Sequence, residues 1–204
     1  MDTSIGEYFR HLGKVGAEMQ ATDVAGAVLA LDDAARRAVG LALDAKRLGA
    51  RVIFVGNGGS AGIASHMATD WLKNGGFAAL CFNDSAMLTC ISNDLGYDQV
   101  FALPLQRHGR KDDLLFAISS SGKSESILNA AAAARSASMK VVTLSGFGAD
   151  NPLRRLGDLN FWVPDGHYGF VEIAHLTLCH AILDIVMGWR KVGDLPVVAA
   201  AASR

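Results

Sequence analysis

The sequence predicts an α/β protein: a five-stranded parallel sheet with helices on both faces, preceded by an N-terminal helical arm. Three observations predict it. First, short apolar runs recur at Arg51–Val55, Phe77–Phe82, Asp113–Ile118, Lys140–Leu144 and Leu159–Val163, with helix-like segments between most of them. Continuous apolar strands alternating with helices are the pattern of a parallel sheet covered on both sides. Second, Val24, Val28, Leu31, Ala34, Ala35, Val39, Leu41 and Leu43 recur at helical spacing within Asp23–Leu48. Third, the 204 residues are half apolar and show neither an internal repeat nor a linker, which suits one domain with a full core.

Taken in order, residues 1–50 form the arm, with a weaker helix near residues 3–20 before the strong one. Residues 51–190 carry the sheet and end in a helix, roughly Gly169 to Trp189, rich in Leu, Ile, Val and Ala. Residues 191–204 form a tail that is Ala-rich from Pro196 and is expected to be loosely ordered. The arm's apolar face is too long to cover itself, which predicts a homo-oligomer.

The charges exclude several function classes. Nineteen basic residues against 20 acidic ones leave a net charge of −1, so a nucleic-acid partner has no electrostatic footprint. A small anion would have to be held by a local site. No uninterrupted apolar run approaches the ~20 residues that span a bilayer, and the N-terminus lacks the apolar stretch of a signal peptide. The three cysteines, Cys81, Cys90 and Cys179, form no C-x-x-C and fit a reducing compartment. The expected location is the cytoplasm.

In an open parallel sheet, ligands bind beyond the carboxyl ends of the strands. After the first apolar strand comes Gly56-Asn57-Gly58-Gly59-Ser60-Ala61-Gly62 and then a helix. Glycines let backbone N–H groups approach a ligand, and a helix N-terminus favours negative charge. Gly56, Gly58 and Ala61 also fit a dinucleotide fingerprint, but the nearest acidic ribose partner, Asp84, lies too far along. After the third strand comes Ser119-Ser120-Ser121-Gly122-Lys123-Ser124. A P-loop would need glycine where Ala117 stands. What remains is four hydroxyls and a lysine before a helix over Glu125–Ala137. One N-cap explains one serine, not four. Two such loops suggest a small phosphorylated substrate gripped from two sides.

Two helices carry the remaining chemistry. His66 and Asp70 are four apart and share a face. Glu172, His175 and His180 sit on the last helix, where His175 is open between packing and function. His66, Asp70, Glu172 and His180 could supply general acid and base, or N/O ligands for zinc, and spacing does not choose between them. Asn93 and Asp94, before the turn-like Leu95-Gly96-Tyr97, are further candidates for the polar lining.

GNGGSAGIASHMATDW, NDLGYD, ISSSGKSESIL, VVTLSGF and YGFVEIAHLTLCHAIL, in this order over about residues 50–190, resemble the landmarks of the SIS-fold phosphoheptose isomerases. The resemblance implies a SIS-type three-layer sandwich and an intramolecular oxidoreductase. The implied reaction converts sedoheptulose 7-phosphate to D-glycero-D-manno-heptose 7-phosphate for surface polysaccharides. It further implies a tetramer with sites between subunits. Substrate would be bound by Asn57, Gly58, Gly59, Ser60, Asn93, Asp94, Ser119, Ser120, Ser121 and Ser124. Catalysis would fall to Asp70, Glu172 and His180, and zinc, where present, to His66, Asp70, Glu172 and His180. Two positions depart from the family. Asp70 stands where the family has glutamate, and Glu172 where it has glutamine, so the base is Asp70 or Glu172. The alternative from another class is a non-catalytic SIS module that binds a sugar phosphate or a protein partner.

Overall fold

The computed structural model describes residues 4–189. The tail expected at 191–204 lies outside them. The chain opens with α1 (Ile5–Ala17), whose N-cap Ser4 accepts from Glu7 N.

Five strands follow the sequence closely: β3 (Arg51–Gly56), β4 (Ala78–Cys81), β5 (Leu114–Ser119), β6 (Lys140–Ser145) and β7 (Leu159–Trp162). They pair in parallel in the order β7-β6-β5-β3-β4. The expected five-stranded parallel sheet is nonetheless incomplete, because among the described residues the sheet has seven strands and is mixed. β1 (Gln20–Asp23) pairs antiparallel with β7, with Gln20 opposite Trp162, and β2 (Val28–Leu29) pairs antiparallel with β1. The turn between them lies where helix was expected to begin. Asp23 Oδ1 accepts from Ala25 N and Ala27 N, each at 2.9 Å, and Gly26 takes φ +81°. That side chain satisfies the turn locally and reverses the chain. Only Ala21 and Thr22 of β1 are buried, too few to read as an alternation.

The second helix, α2 (Leu31–Arg47), therefore starts late. It buries Ala34, Ala38, Ala42 and Ala45, a four-residue period that lies along one face. Val24, Val28 and Leu43 from the anticipated stripe are exposed.

The other helices are α3 (Gly59–Lys73), α4 (Ser85–Leu95), α5 (Ala102–His108), α6 (Glu125–Ser136) and α7 (Tyr168–Val186). Strand residues alternate between two cores. Val52, Phe54 and Phe116 pack with the α2, α3 and α7 side, while Ile53, Val55 and Leu115 pack with the α5 and α6 side. Trp71 fastens α3 to the sheet, its ring 5.6 Å from Phe54 and 5.5 Å from Phe116. A fully buried aromatic of this kind contributes about 3–5 kcal/mol relative to alanine. At the sheet end opposite the carboxyl ends of the strands, buried Asp113 accepts from Arg51 N at 2.8 Å and Arg110 N at 3.0 Å and pairs with the Arg51 guanidinium.

Among the described residues, α7 is long and apolar enough to cross a membrane by length and composition. One face of it lies in the core. Val171, Ala174, His175, Leu178, Cys179, Ile182 and Leu183 are buried, and the helix packs on α2 and α3. All three cysteines are free; burial pushes the Cys179 thiol up to about 12, so it behaves as an apolar side chain.

Candidate active site

β3 ends at Gly56 and α3 starts at Gly59, so two residues make the strand-to-helix turn. Gly58 sits at φ +54°, ψ −123°, a conformation that favours glycine. A Cβ on Gly56 would meet the Ser60 carbonyl. These glycines put the first turn of α3 directly beyond the strand. Asn57 is held on both sides, its Nδ2 donating to Ser126 Oγ and its Oδ1 accepting from the Tyr97 hydroxyl, each at 2.8 Å.

The serine loop leaves β5 and enters α6. Gly122 N donates to Ser119 O at 3.0 Å, Lys123 N to Ser121 Oγ at 3.2 Å, and Ser119 Oγ to Ser124 Oγ at 3.4 Å. Ser124 is the N-cap of α6, yet its side chain makes no capping bond. Among the described residues, Ser120 Oγ is buried without a hydrogen-bond partner. A buried hydroxyl left unpaired is costly unless a ligand completes it.

The two loops face one another across a cleft of about 250 Å³. It gathers Asn57, Gly58, Gly59, Ser60, Ser119, Ser120, Ser121 and Ser124, all expected substrate-binding residues. Among the described residues no lysine or arginine lines it, and Lys123 is exposed. An anion would therefore be held by hydroxyls, N–H groups and the start of α3. The far wall is the first turn of α7, with Tyr168 and Glu172. Gly59 lies so close to the Glu172 carboxylate that a Cβ there would overlap it.

Tyr168 was not anticipated; the available signal was an aromatic residue four before Glu172, on the same helical face. Its ring rests edge-on against Phe147 at 5.0 Å. Tyr97 and Ser126, which hold Asn57, were also missed. Helix α1 braces this wall from behind. The Tyr8 and Phe170 rings are 4.4 Å apart, and His11 Nε2 is 2.8 Å from Asp165 Oδ2. Burial pushes the Asp165 carboxyl up, but hydrogen bonds from His11 and His167 outweigh it and hold the group below its usual range.

The second cluster lies further along α3 and α7. The Nε2 atoms of His66 and His180 are 3.1 Å apart. Asp70 Oδ2 is 3.5 Å from His66 Nε2 and 3.9 Å from His180 Nδ1. One ligand atom from each residue fits within a mutual 4.8 Å. Two imidazoles and a carboxylate are a donor set that suits zinc and leaves an open position. Glu172, expected as a fourth ligand, is not in this group. It lies eight residues before His180, about 12 Å along the helix axis, and borders the serine-loop cleft instead. Asn93 and Asp94 do not line that cleft. Asn93 borders a separate depression beside Tyr97, and Asp94 accepts from Asn93 Nδ2 at 2.8 Å.

His175 belongs to the core. It is fully buried, with Nε2 3.0 Å from the Ser145 carbonyl. A carbonyl only accepts, so Nε2 carries the proton. Burial pushes the ring down to about 4, partly opposed by that hydrogen bond. Between about 4 and the ordinary 6.5, the unfolded chain binds a proton that the folded chain refuses. Stability therefore falls as pH drops through this window, by on the order of 3 kcal/mol in all. Urea midpoints should decrease from pH 6.5 to 4, and His175→Gln should flatten the slope. An unchanged slope in the variant would clear His175 as the cause.

Comparison with known proteins places this geometry. The SIS domain family model matches residues 19–146. The phosphoheptose isomerase of Chlorobium phaeovibrioides is 40% identical over 147 residues, 68% of each chain. That of Yersinia pestis is 35% identical over 162 residues, 76% of this chain and 82% of the relative. The solved phosphoheptose isomerase of Neisseria gonorrhoeae superposes with a TM-score of 0.78 at 28% identity, covering 90% of this chain and 96% of that one. With its glycine turn, serine loop and paired helices in these positions, the chain belongs to the SIS domain family, among the phosphoheptose isomerases.

Proposed function

We propose that the chain interconverts sedoheptulose 7-phosphate and D-glycero-D-manno-heptose 7-phosphate in the cytoplasm, supplying heptose for surface polysaccharide. The observation that carries this reading is the pairing of an uncharged-donor anion cleft with an imidazole–carboxylate cluster on the same two helices. A sugar phosphate has the matching polarity, with a phosphate at one end and a carbonyl at the other. In this reading residues 51–190 hold the chemistry, and the arm, residues 1–50, supports it.

The serine loop and the start of α3 hold the phosphate. A carboxylate, Asp70 or Glu172, removes the proton from C1 of the ketose and returns it to C2. His180 gives a proton to the C2 oxygen and takes one from the C1 oxygen, so the intermediate is a cis-enediol. Each well-placed proton-transfer group contributes roughly 10²–10⁴-fold. Glu172 faces the cleft, whereas Asp70 stands beside His180, which favours Asp70 for the reacting end. Zinc, when bound at His66, Asp70 and His180, would polarise the carbonyl as a Lewis acid. Exposed Ile5, Phe9, Val28 and Leu43 support a homo-oligomer, proposed as a tetramer with sites between subunits. The ordered imidazole pair weighs against a purely sensing module.

The deciding experiment incubates the protein with sedoheptulose 7-phosphate, with and without added zinc, and follows aldose formation. Turnover is expected. Metal analysis of chelator-free protein should find zinc that is lost in the His66→Ala/His180→Ala double variant. No aldose under either condition would sink the isomerase reading, and metal that survives the double variant would sink the zinc site.

A further inference from the structure

We propose that Asn151 is a positioning residue that holds the serine loop in its anion-binding shape. The inference rests on reading the cleft as the phosphate site. Asn151 lies between β6 and β7, at the N-cap of a short turn of 3-10 helix over Pro152–Arg155. It is fully buried and does not line the cleft.

Its amide is used on both sides. Nδ2 donates to Gly148 O at 2.9 Å and lies 3.2 Å from both Gly146 O and Ser145 Oγ. Oδ1 accepts from Arg154 N at 3.3 Å. One side chain thus fixes the course of residues 145–154. That segment is the bed on which the serine loop lies. Gly122, at φ +62°, packs so closely on the Asn151 amide that a Cβ there would overlap it. Gly146 N donates to Ser120 O at 2.9 Å, and Leu153 N to Gly122 O at 3.2 Å.

These bonds matter because an anion site must offer donors and hide acceptors. Ser119 O takes Gly122 N, Ser120 O takes Gly146 N, and Gly122 O takes Leu153 N. Three carbonyls are thereby occupied, two of them by the segment that Asn151 organises. The unpaired Ser120 hydroxyl is left for a ligand. A residue 29 positions beyond Gly122 in sequence therefore sets the loop's electrostatic character without touching the anion.

The rival role is simple capping of the 3-10 turn, and two substitutions separate the roles. Asn151→Asp keeps the volume and the capping acceptor but sets a carboxylate against the Gly146 and Gly148 carbonyls. Asn151→Ser also keeps a capping oxygen and lacks the amide donor. Inorganic phosphate binding to the full chain is measured by calorimetry, alongside thermal melting and kinetics on sedoheptulose 7-phosphate. Both variants should fold and bind phosphate roughly 10- to 100-fold more weakly. KM should rise by a similar factor, with kcat held within about threefold. Phosphate affinity within about threefold of wild type in the folded variants would overturn the proposal, since capping alone leaves binding unmoved. If one variant fails to fold, the other decides; if both fail, Asn151 serves the fold and the proposal is wrong. Wild-type protein that binds phosphate but leaves the sugar unchanged would defeat the isomerase reading alone.

Discussion

Replacing His180 with alanine should lower turnover of sedoheptulose 7-phosphate by roughly 10²–10⁴-fold and leave phosphate binding and the melting temperature close to wild type. His180 is half-exposed on α7, so truncation opens no core cavity. Its ring contacts His66 and Asp70, not the serine loop. The loss is therefore confined to the reacting end of the substrate. Phosphate titration and turnover, measured on the same preparation, check the separation. Turnover within about tenfold of wild type would remove His180 from the chemistry, because a positioned acid–base group contributes more than that.

The second large effect is steric. Gly59→Ala should cost roughly 10²-fold in activity with little loss of stability. The new methyl would overlap the Glu172 carboxylate, which is the far end of a flexible side chain and can swing aside. The fold tolerates that movement, but the cleft loses the wall that Glu172 supplies. Gly56→Ala makes a useful contrast, because its methyl would meet the Ser60 backbone, which cannot move without unmaking the first turn of α3. Melting curves and turnover for the two variants should diverge: activity falls in both, stability mainly in Gly56→Ala. Wild-type activity in Gly59→Ala would show that the position of Glu172 is immaterial.

The parts of the molecule that were legible in the sequence are those where one physical pattern acts alone. β3, β5, β6 and β7 are buried on both faces and so read as unbroken apolar runs, while the edge strand β4 is apolar but only partly buried. The glycine turn and the serine loop announce themselves because backbone approach and hydroxyl donors need those residue types. The hairpin at 20–29 was illegible because four residues paired to β7 carry little pattern of their own. Its formation depends on Trp162 and Asn160, more than 130 positions away. Glu172 and His180 illustrate a different limit. Eight residues bring two side chains to within about 80° around a helix, but also part them by about 12 Å along it. Angle alone would join them in one site, whereas the axial rise sets Glu172 at the serine-loop cleft and His180 in the imidazole cluster. Asn151 gave no signal, since its hydrogen bonds are local and its link to the serine loop is a packing contact with Gly122, 29 positions away in sequence.

The two-ended use of α3 and α7 makes the helices a gauge. Both start at the anion cleft, and both carry an imidazole of the second cluster further along, at His66 and His180. Helical rise is fixed at about 1.5 Å per residue, so the interval between the ends cannot adapt to what is bound. On the proposed reading, a substrate that seats its phosphate in the cleft would have its length measured, because only a carbon chain of the right reach would bring its carbonyl to the imidazoles. Selection by length then needs no dedicated specificity pocket. The energy of gripping the phosphate would then be converted into alignment of a bond at the far end, with the pitch of an ordinary helix as the unit in which that bond is located.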